Sequence, residues 1–207
     1  MVFKTTTQRK ITHAEKWFLS DKNFDTLIPA PYRDISHKHW TPLDVAKKAA
    51  QFLAEGSQNP YILDIGAGSG KFCATAAYFT KAHITGIEQR ENLVGIGNEI
   101  LQKLGLENVQ ILHENLAKFD MSKFTGIYFF NAFYENLDQT SVQVDTEIEF
   151  SSSLFRFYSD LLYKKLKALP TYTRLATYHT NNGYIPEEYT VLETHFAGQL
   201  KFWIKYE

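Results

Sequence analysis

Hydrophobic and polar positions along this chain alternate between two periods. Short apolar runs, YILDI (61–65), HITGIE (83–88), VQILHE (109–114) and GIYFFNAF (126–133), have the length and β-branched content of strands. Between them, CATAAYFT (73–80) and residues 92–104 read as helices, the second closed by Gly105. Strand and helix in alternation is the order of a parallel sheet with crossover helices. The IYFF run is apolar at every position, as a strand covered by helices on both faces must be.

The flanks follow other patterns. The first sixty residues read as helical: an opening through Trp17 and Phe18, a Pro-punctuated turn (IPAPYRD), then a helix beginning at Thr41-Pro42. Thr41 suits its N-cap and Pro42 its first turn, Val45, Ala49, Phe52 and Leu53 fall on one face, and Gly56 ends it. Past a polar stretch at 135–150, a helix is expected over 152–169, stopped by Pro170, and then a strand TRLATYH (173–179). Two last runs, YTVLETHF (189–196) and QLKFWIKY (199–206), are split only by Ala197-Gly198 and read as an antiparallel hairpin.

At 207 residues, without internal repeat or linker-like tract, the chain is expected to be one domain, 1–207, with a helical segment 1–60 ahead of a core 61–207. Its 44% hydrophobic and 22% charged content is that of a globular protein. No apolar run approaches the roughly 18 residues of a membrane span, so no membrane is expected as a partner. The opening MVFKTTTQRK lacks the apolar core of a secretory signal, and Cys73 is the lone cysteine, which points to the cytoplasm and a reduced thiol. A net charge of −1 gives no overall field to hold a polyanion, so nucleic acid is not favoured as a partner. No metal is expected, and oligomeric state is not legible.

A strand carrying Asp64, followed by Gly66, Gly68 and Gly70 and then a helix, brings backbone close to a small ligand. The dinucleotide form of such a loop is GxGxxG; here it is GxGxG, with Lys71 at the place of the last glycine, which disfavours a nicotinamide cofactor. The phosphate loop GxxxxGK[ST] fails on spacing and on the missing Ser/Thr after Lys71.

The segment LDIGAGSG resembles the first motif of the class I S-adenosylmethionine-dependent methyltransferases. The resemblance runs from about His39 to the C-terminus. It implies an α/β, Rossmann-like, doubly wound fold: seven strands in the order 3-2-1-4-5-7-6, the last antiparallel, helices on both faces, and here an N-terminal helical extension. It also implies S-adenosyl-L-methionine as cofactor, with Asp64 placing the methionyl ammonium and the glycines making room. Glu88, at the end of the second strand, can accept both ribose hydroxyls, although the same carboxylate would also cap the turn that follows. Glu114, with Asn115 beside it, matches the acid that receives the adenine amino group. His39 and Trp40, ahead of the Thr41-Pro42 helix start, are placed to cover the methionine end.

The acceptor belongs at the carboxyl end of the fourth strand, where Asn131 is followed by Ala132, Phe133 and Tyr134. Amino-methylating members of the family carry an Asn or Asp there, then two prolines, then an aromatic. NAFY keeps the asparagine and the aromatics without the prolines. Asn131 and Tyr134 are thus the candidate catalytic residues, with Glu135 and His179 as further proton acceptors, and a protein side chain or small amine the favoured acceptor. Methyl transfer to RNA and a non-catalytic cofactor-binding scaffold or sensor are the alternatives. The stretch 135–150 carries five acids and no Lys or Arg, a charge suited to a basic substrate.

Overall fold

The computed structural model describes residues 14–133 and 151–207. Its seven strands are β1 (Tyr61–Ile65), β2 (His83–Glu88), β3 (Val109–His113), β4 (Gly126–Phe130), β5 (Arg174–Tyr178), β6 (Tyr189–His195) and β7 (Leu200–Lys205). They form one sheet in the order β3-β2-β1-β4-β5-β7-β6. The first five are mutually parallel, and β7 enters antiparallel between β5 and β6. This is the order implied by the resemblance.

Alternation along the strands sorts the core into two layers. Leu63, Ile65, Ile127, Phe129, Leu175 and Trp203 face α7 (Ser152–Lys167), where Leu162 and Leu166 are fully buried. Ile62, Tyr128, Ala176, Tyr178 and Phe202 face the opposite layer, built from α4 (Leu43–Ala54), α5 (Lys71–Phe79) and α6 (Glu91–Leu104). Asp64 is two residues from Ile62, so it points to the α4–α5 side. The last carbonyls of α7 are closed by Lys205, whose Nζ donates to Lys167 O and Leu169 O at 2.6 Å each, placing a cation at the negative end of the helix.

Three short helices, α1 (Asp21–Asp25), α2 (Ala30–Arg33) and α3 (Ser36–His39), precede α4 and pack on the α4–α5 layer through Phe24 and Ile28, both fully buried. Arg33 ties this cap together, donating to Ile28 O at 2.9 Å and Asp25 O at 2.9 Å.

Two local expectations change. α4 begins at Leu43 with Pro42 as its N-cap, and Thr41 does not cap it. Asp21 Oδ1 accepts from Leu43 N at 2.9 Å in that role, and Thr41 Oγ1 instead bonds Tyr128 OH at 2.8 Å. β4 stops at Phe130 because Asn131 turns to a φ of 35°, outside the strand region. Residues 131–133 therefore form a turn across the sheet's carboxyl edge.

Candidate active site

At the carboxyl ends of β1, β2 and β4 the sheet opens into a cavity of about 290 Å³. Its floor is the glycine turn. Gly66 N and Ala67 N donate to Ile87 O at 2.9 and 3.0 Å, which fastens the turn onto β2. Gly68 N donates to Glu88 Oε2 at 3.0 Å, while Arg90 N donates to Oε1 at 2.9 Å. Glu88 thus holds the turn on one side and the chain leading into α6 on the other, its buried carboxylate still bordering the cavity.

Glycine is required at two points of this turn for a steric reason. At Gly66 (φ 77°) an added Cβ would overlap the Cβ of Ala132, and at Gly68 (φ 54°) it would overlap Nε1 of Trp40. The chain after β4 and the chain before α4 therefore both close on the turn. Gly70 does not line the cavity; it precedes α5 and packs where a Cβ would meet Ile111.

Asp64 stands abreast of Gly86 on β2 and Tyr128 on β4. It is 3% exposed, and Cys73 Sγ donates to its Oδ2 at 3.2 Å. Burial pushes the Asp64 carboxyl up to about 7; the thiol hydrogen bond acts the other way and the charge of Glu88 adds to the rise. Tyr128, stacked on Phe72 with centroids 3.8 Å apart, has its phenol raised well above the usual range by burial.

Toward β3 the wall is made by Glu114, exposed to solvent, and Asn115. Asn115 Nδ2 donates to Tyr158 OH at 2.6 Å and to Gln89 Oε1 at 3.2 Å, and its Oδ1 accepts from Ala117 N. Tyr158, from α7, stacks on Phe133 at 5.4 Å, so one aromatic pair links this wall to the turn after β4. Leu93, Ile87 and Leu116 supply apolar lining nearby.

Asn131 lies at the other end, in the cavity wall between Phe130 and Ala132. Phe130 packs on Tyr178 and His179 at 4.8 and 5.8 Å. Partial burial holds the His179 imidazole below its ordinary range, so it is a neutral proton acceptor near neutral pH. Tyr134, Glu135 and the acidic stretch 135–150 lie outside the described residues. Among the described residues no group of three or more His, Cys, Asp or Glu side chains is placed to hold a metal ion, and no helix is long and apolar enough to cross a membrane.

A family model described as a methyltransferase domain matches residues 57–151, which take in the glycine turn, Glu88, Glu114 and Asn131. Residues 57–151 are thus similar to a methyltransferase domain, and the sheet order is that of the methyltransferase fold. Among solved methyltransferase structures the chain is similar to the RNA methyltransferase from Salinibacter ruber, determined in complex with S-adenosyl-L-homocysteine. That match has a TM-score of 0.55 at 18% identity and covers 80% of this chain and 92% of that one. It is also similar to TrmN from Thermus thermophilus, with a TM-score of 0.58 at 17% identity, covering 84% of this chain; the chain spans 52% of that protein. Likeness at this identity is likeness of fold. No curated protein matches the sequence.

Of the residues singled out in the sequence, Asp64, Gly66, Gly68, Glu88, Glu114, Asn115 and Asn131 all border the one cavity. Three neighbours carry no sequence signal of their own. Tyr128 reads as one more apolar position of a central strand, and Tyr158 as an aromatic on an amphipathic helix. Lys71 reads only as a missing glycine. Their roles depend on which elements the fold brings together.

Proposed function

We propose that the cavity binds S-adenosyl-L-methionine along the glycine turn and that the methyl group passes to a nitrogen held at Asn131. The observation that carries the reading is the placement of Asn131. It is turned off β4 at a φ of 35°, in the wall of the same cavity as the Asp64 and Glu88 carboxylates. The donor set suits the cofactor. Asp64, once ionised, offers a buried carboxylate to a methionyl ammonium. Glu88 offers paired oxygens to ribose hydroxyls, and Glu114 and Asn115 flank an apolar slot suited to a purine.

The cofactor supplies a methyl group already activated by its sulfonium, so the chain's task is alignment and exclusion of water. Trp40 over Gly68 and the turn at 131–133 over Gly66 close the cavity from two sides. The Asn131 amide oxygen is an acceptor for an N–H of the incoming nitrogen and would orient its lone pair. A protonated amine must first release its proton. His179, whose ring lies against Phe130 of the cavity wall, is a base available to this end. Tyr134, three residues after Asn131, is a second candidate for the acceptor side.

A second reading, RNA as the acceptor, is favoured by one observation. α3 carries His37, Lys38 and His39 in succession, and Lys38 and His39 line the cavity mouth. The Salinibacter ruber relative is described as an RNA methyltransferase. Transfer of labelled methyl from the cofactor into a lysate separated into protein, nucleic-acid and small-molecule fractions distinguishes the two. Label in protein or small amines supports the nitrogen reading. Label confined to RNA, with binding that weakens steeply as salt rises, replaces it.

A further inference from the structure

Lys71 is the first residue of α5, immediately after the glycine turn, and only 2% exposed. A lysine is poorly suited to that place. A cation at a helix N-terminus opposes the helix dipole, and a buried ammonium loses its hydration. Two carboxylates from the N-terminal cap compensate: Asp21 Oδ1 and Asp25 Oδ1, both on α1, each lie 2.7 Å from Lys71 Nζ. The Phe24 ring, on the same helix, sits 5.7 Å from the ammonium.

Asp21 does more than pair. The same Oδ1 accepts from Leu43 N and so caps α4. One ion cluster therefore joins the cofactor turn, α1 and the start of α4. The residues just ahead of α4 are the ones that reach the cavity: Trp40 lies against Gly68, and Thr41 bonds Tyr128 OH. Lys71 and, in large part, Asp25 are buried while Asp21 is about half exposed; such a pair contributes little net stability, and its attested value lies in fixing a particular register. Here the register fixed is that of the cap over the glycine turn.

We infer that Lys71 is a positioning residue: by clamping Asp21 and Asp25 it seats the cap so that Trp40 closes the methionine end of the cavity and retards cofactor release. The inference rests on the cofactor reading of this cavity, and the wild-type protein tests that reading separately. Without the ammonium, the N-terminal cap keeps its hydrophobic anchors Phe24 and Ile28, which favour a folded chain. It loses the constraint on Trp40.

The test is the dissociation rate of S-adenosyl-L-homocysteine, by stopped-flow tryptophan fluorescence and by displacement with excess S-adenosylmethionine. Wild type is compared with Lys71→Met, Lys71→Arg and the double variant Asp21→Asn/Asp25→Asn, which keeps an acceptor for Leu43 N. Circular dichroism at the temperature of measurement confirms that each is folded. A rate about tenfold faster for Lys71→Met and for the double aspartate variant, restored to within about threefold by Lys71→Arg, supports the clamp. Folded Lys71→Met that releases the ligand at the wild-type rate overturns it, even if its melting temperature has dropped, because a purely structural ion pair would move only the latter. Should Lys71→Met not fold, the aspartate pair gives the same decision. Absence of binding to wild type counts against the cofactor reading itself.

Discussion

Cys73 Sγ lies 3.2 Å from Asp64 Oδ2, donating its thiol proton to a carboxylate sealed beneath the glycine turn. The contact exists because Gly86, in register with Asp64 on β2, has no side chain: a Cβ there would crowd both Cys73 Sγ and Ala67 Cβ. A thiol is a weak donor, but among the described residues it is the one that reaches the buried Asp64 carboxylate. It fastens a carboxylate that borders the cavity. Cys73→Ala should therefore weaken S-adenosyl-L-homocysteine binding by about threefold to tenfold, as loss of a hydrogen bond to a charged group does. Cys73→Ser keeps a donor and should bind within about twofold of wild type. Isothermal calorimetry on the two variants checks this, and equal affinities would contradict it.

Asp64 also sets a pH dependence. Its folded carboxyl is raised to about 7 from 3.8, so the folded protein holds a proton that the unfolded chain releases. The sign follows. The ligand-free protein loses stability as pH rises from about 4 to about 7, and is level above that as far as this group is concerned. A bound ammonium reverses the penalty by favouring the ionised form. Affinity for S-adenosyl-L-homocysteine should then rise at least tenfold between about pH 5.5 and pH 7.5. The thermal shift it produces should grow in the same direction. Asp64→Asn should bind weakly and lose the slope.

Trp40 over Gly68 gives a steric prediction. Gly68→Ala puts a Cβ onto the indole nitrogen at a φ of 54°, so the indole must move or the turn must change. The cost is expected to be about 1 to 3 kcal/mol of stability, with cofactor affinity falling as well. Chemical denaturation and calorimetry measure the two effects. Gly105→Ala, also at positive φ but with no atom near its Cβ, should lower stability without touching affinity.

Thr41 and Tyr128 form a buried hydroxyl pair between the cap and β4. Thr41→Val strands the phenol and should cost about 1 to 3 kcal/mol, whereas Thr41→Val with Tyr128→Phe removes both partners and should recover much of it. A double-mutant cycle from urea melts gives the coupling. Additive losses would mean that the pair does not interact.

The sheet was legible because its signals were local: apolar runs of strand length, glycine stops, and a hairpin divided by Ala197-Gly198. All seven strands fall within or on their expected spans, and the helix closed by Gly105 ends where its glycine places it. The misplaced features depended on distant partners. Thr41 has the residue type of an N-cap, but Asp21, 22 positions earlier, takes that function and leaves Thr41 to Tyr128. The fourth strand's run is apolar through Phe133 apart from Asn131, yet the turn packs Ala132 against Gly66 and ends β4 at Phe130. Lys71 spoke against a dinucleotide in the sequence, while its ion cluster with α1 appears only when the cap is docked. That Asp64, Gly66, Gly68, Glu88, Glu114 and Asn115 share one cavity follows from motif spacing along the sheet, whereas the surroundings of Asn131 take their shape from tertiary packing.

If one cavity joins a cofactor end at Asp64 and Glu88 to an acceptor end at Asn131, as proposed, a change at Asn131 separates methyl transfer from cofactor binding. The most direct measurement is transfer of labelled methyl into the fractionated lysate by wild type and by Asn131→Ala, paired with calorimetry of S-adenosyl-L-homocysteine on both proteins. Transfer should fall by at least about a hundredfold in the variant, with cofactor affinity within about threefold of wild type. Undiminished transfer by a folded Asn131→Ala, or a loss of activity matched by a loss of binding, would contradict it.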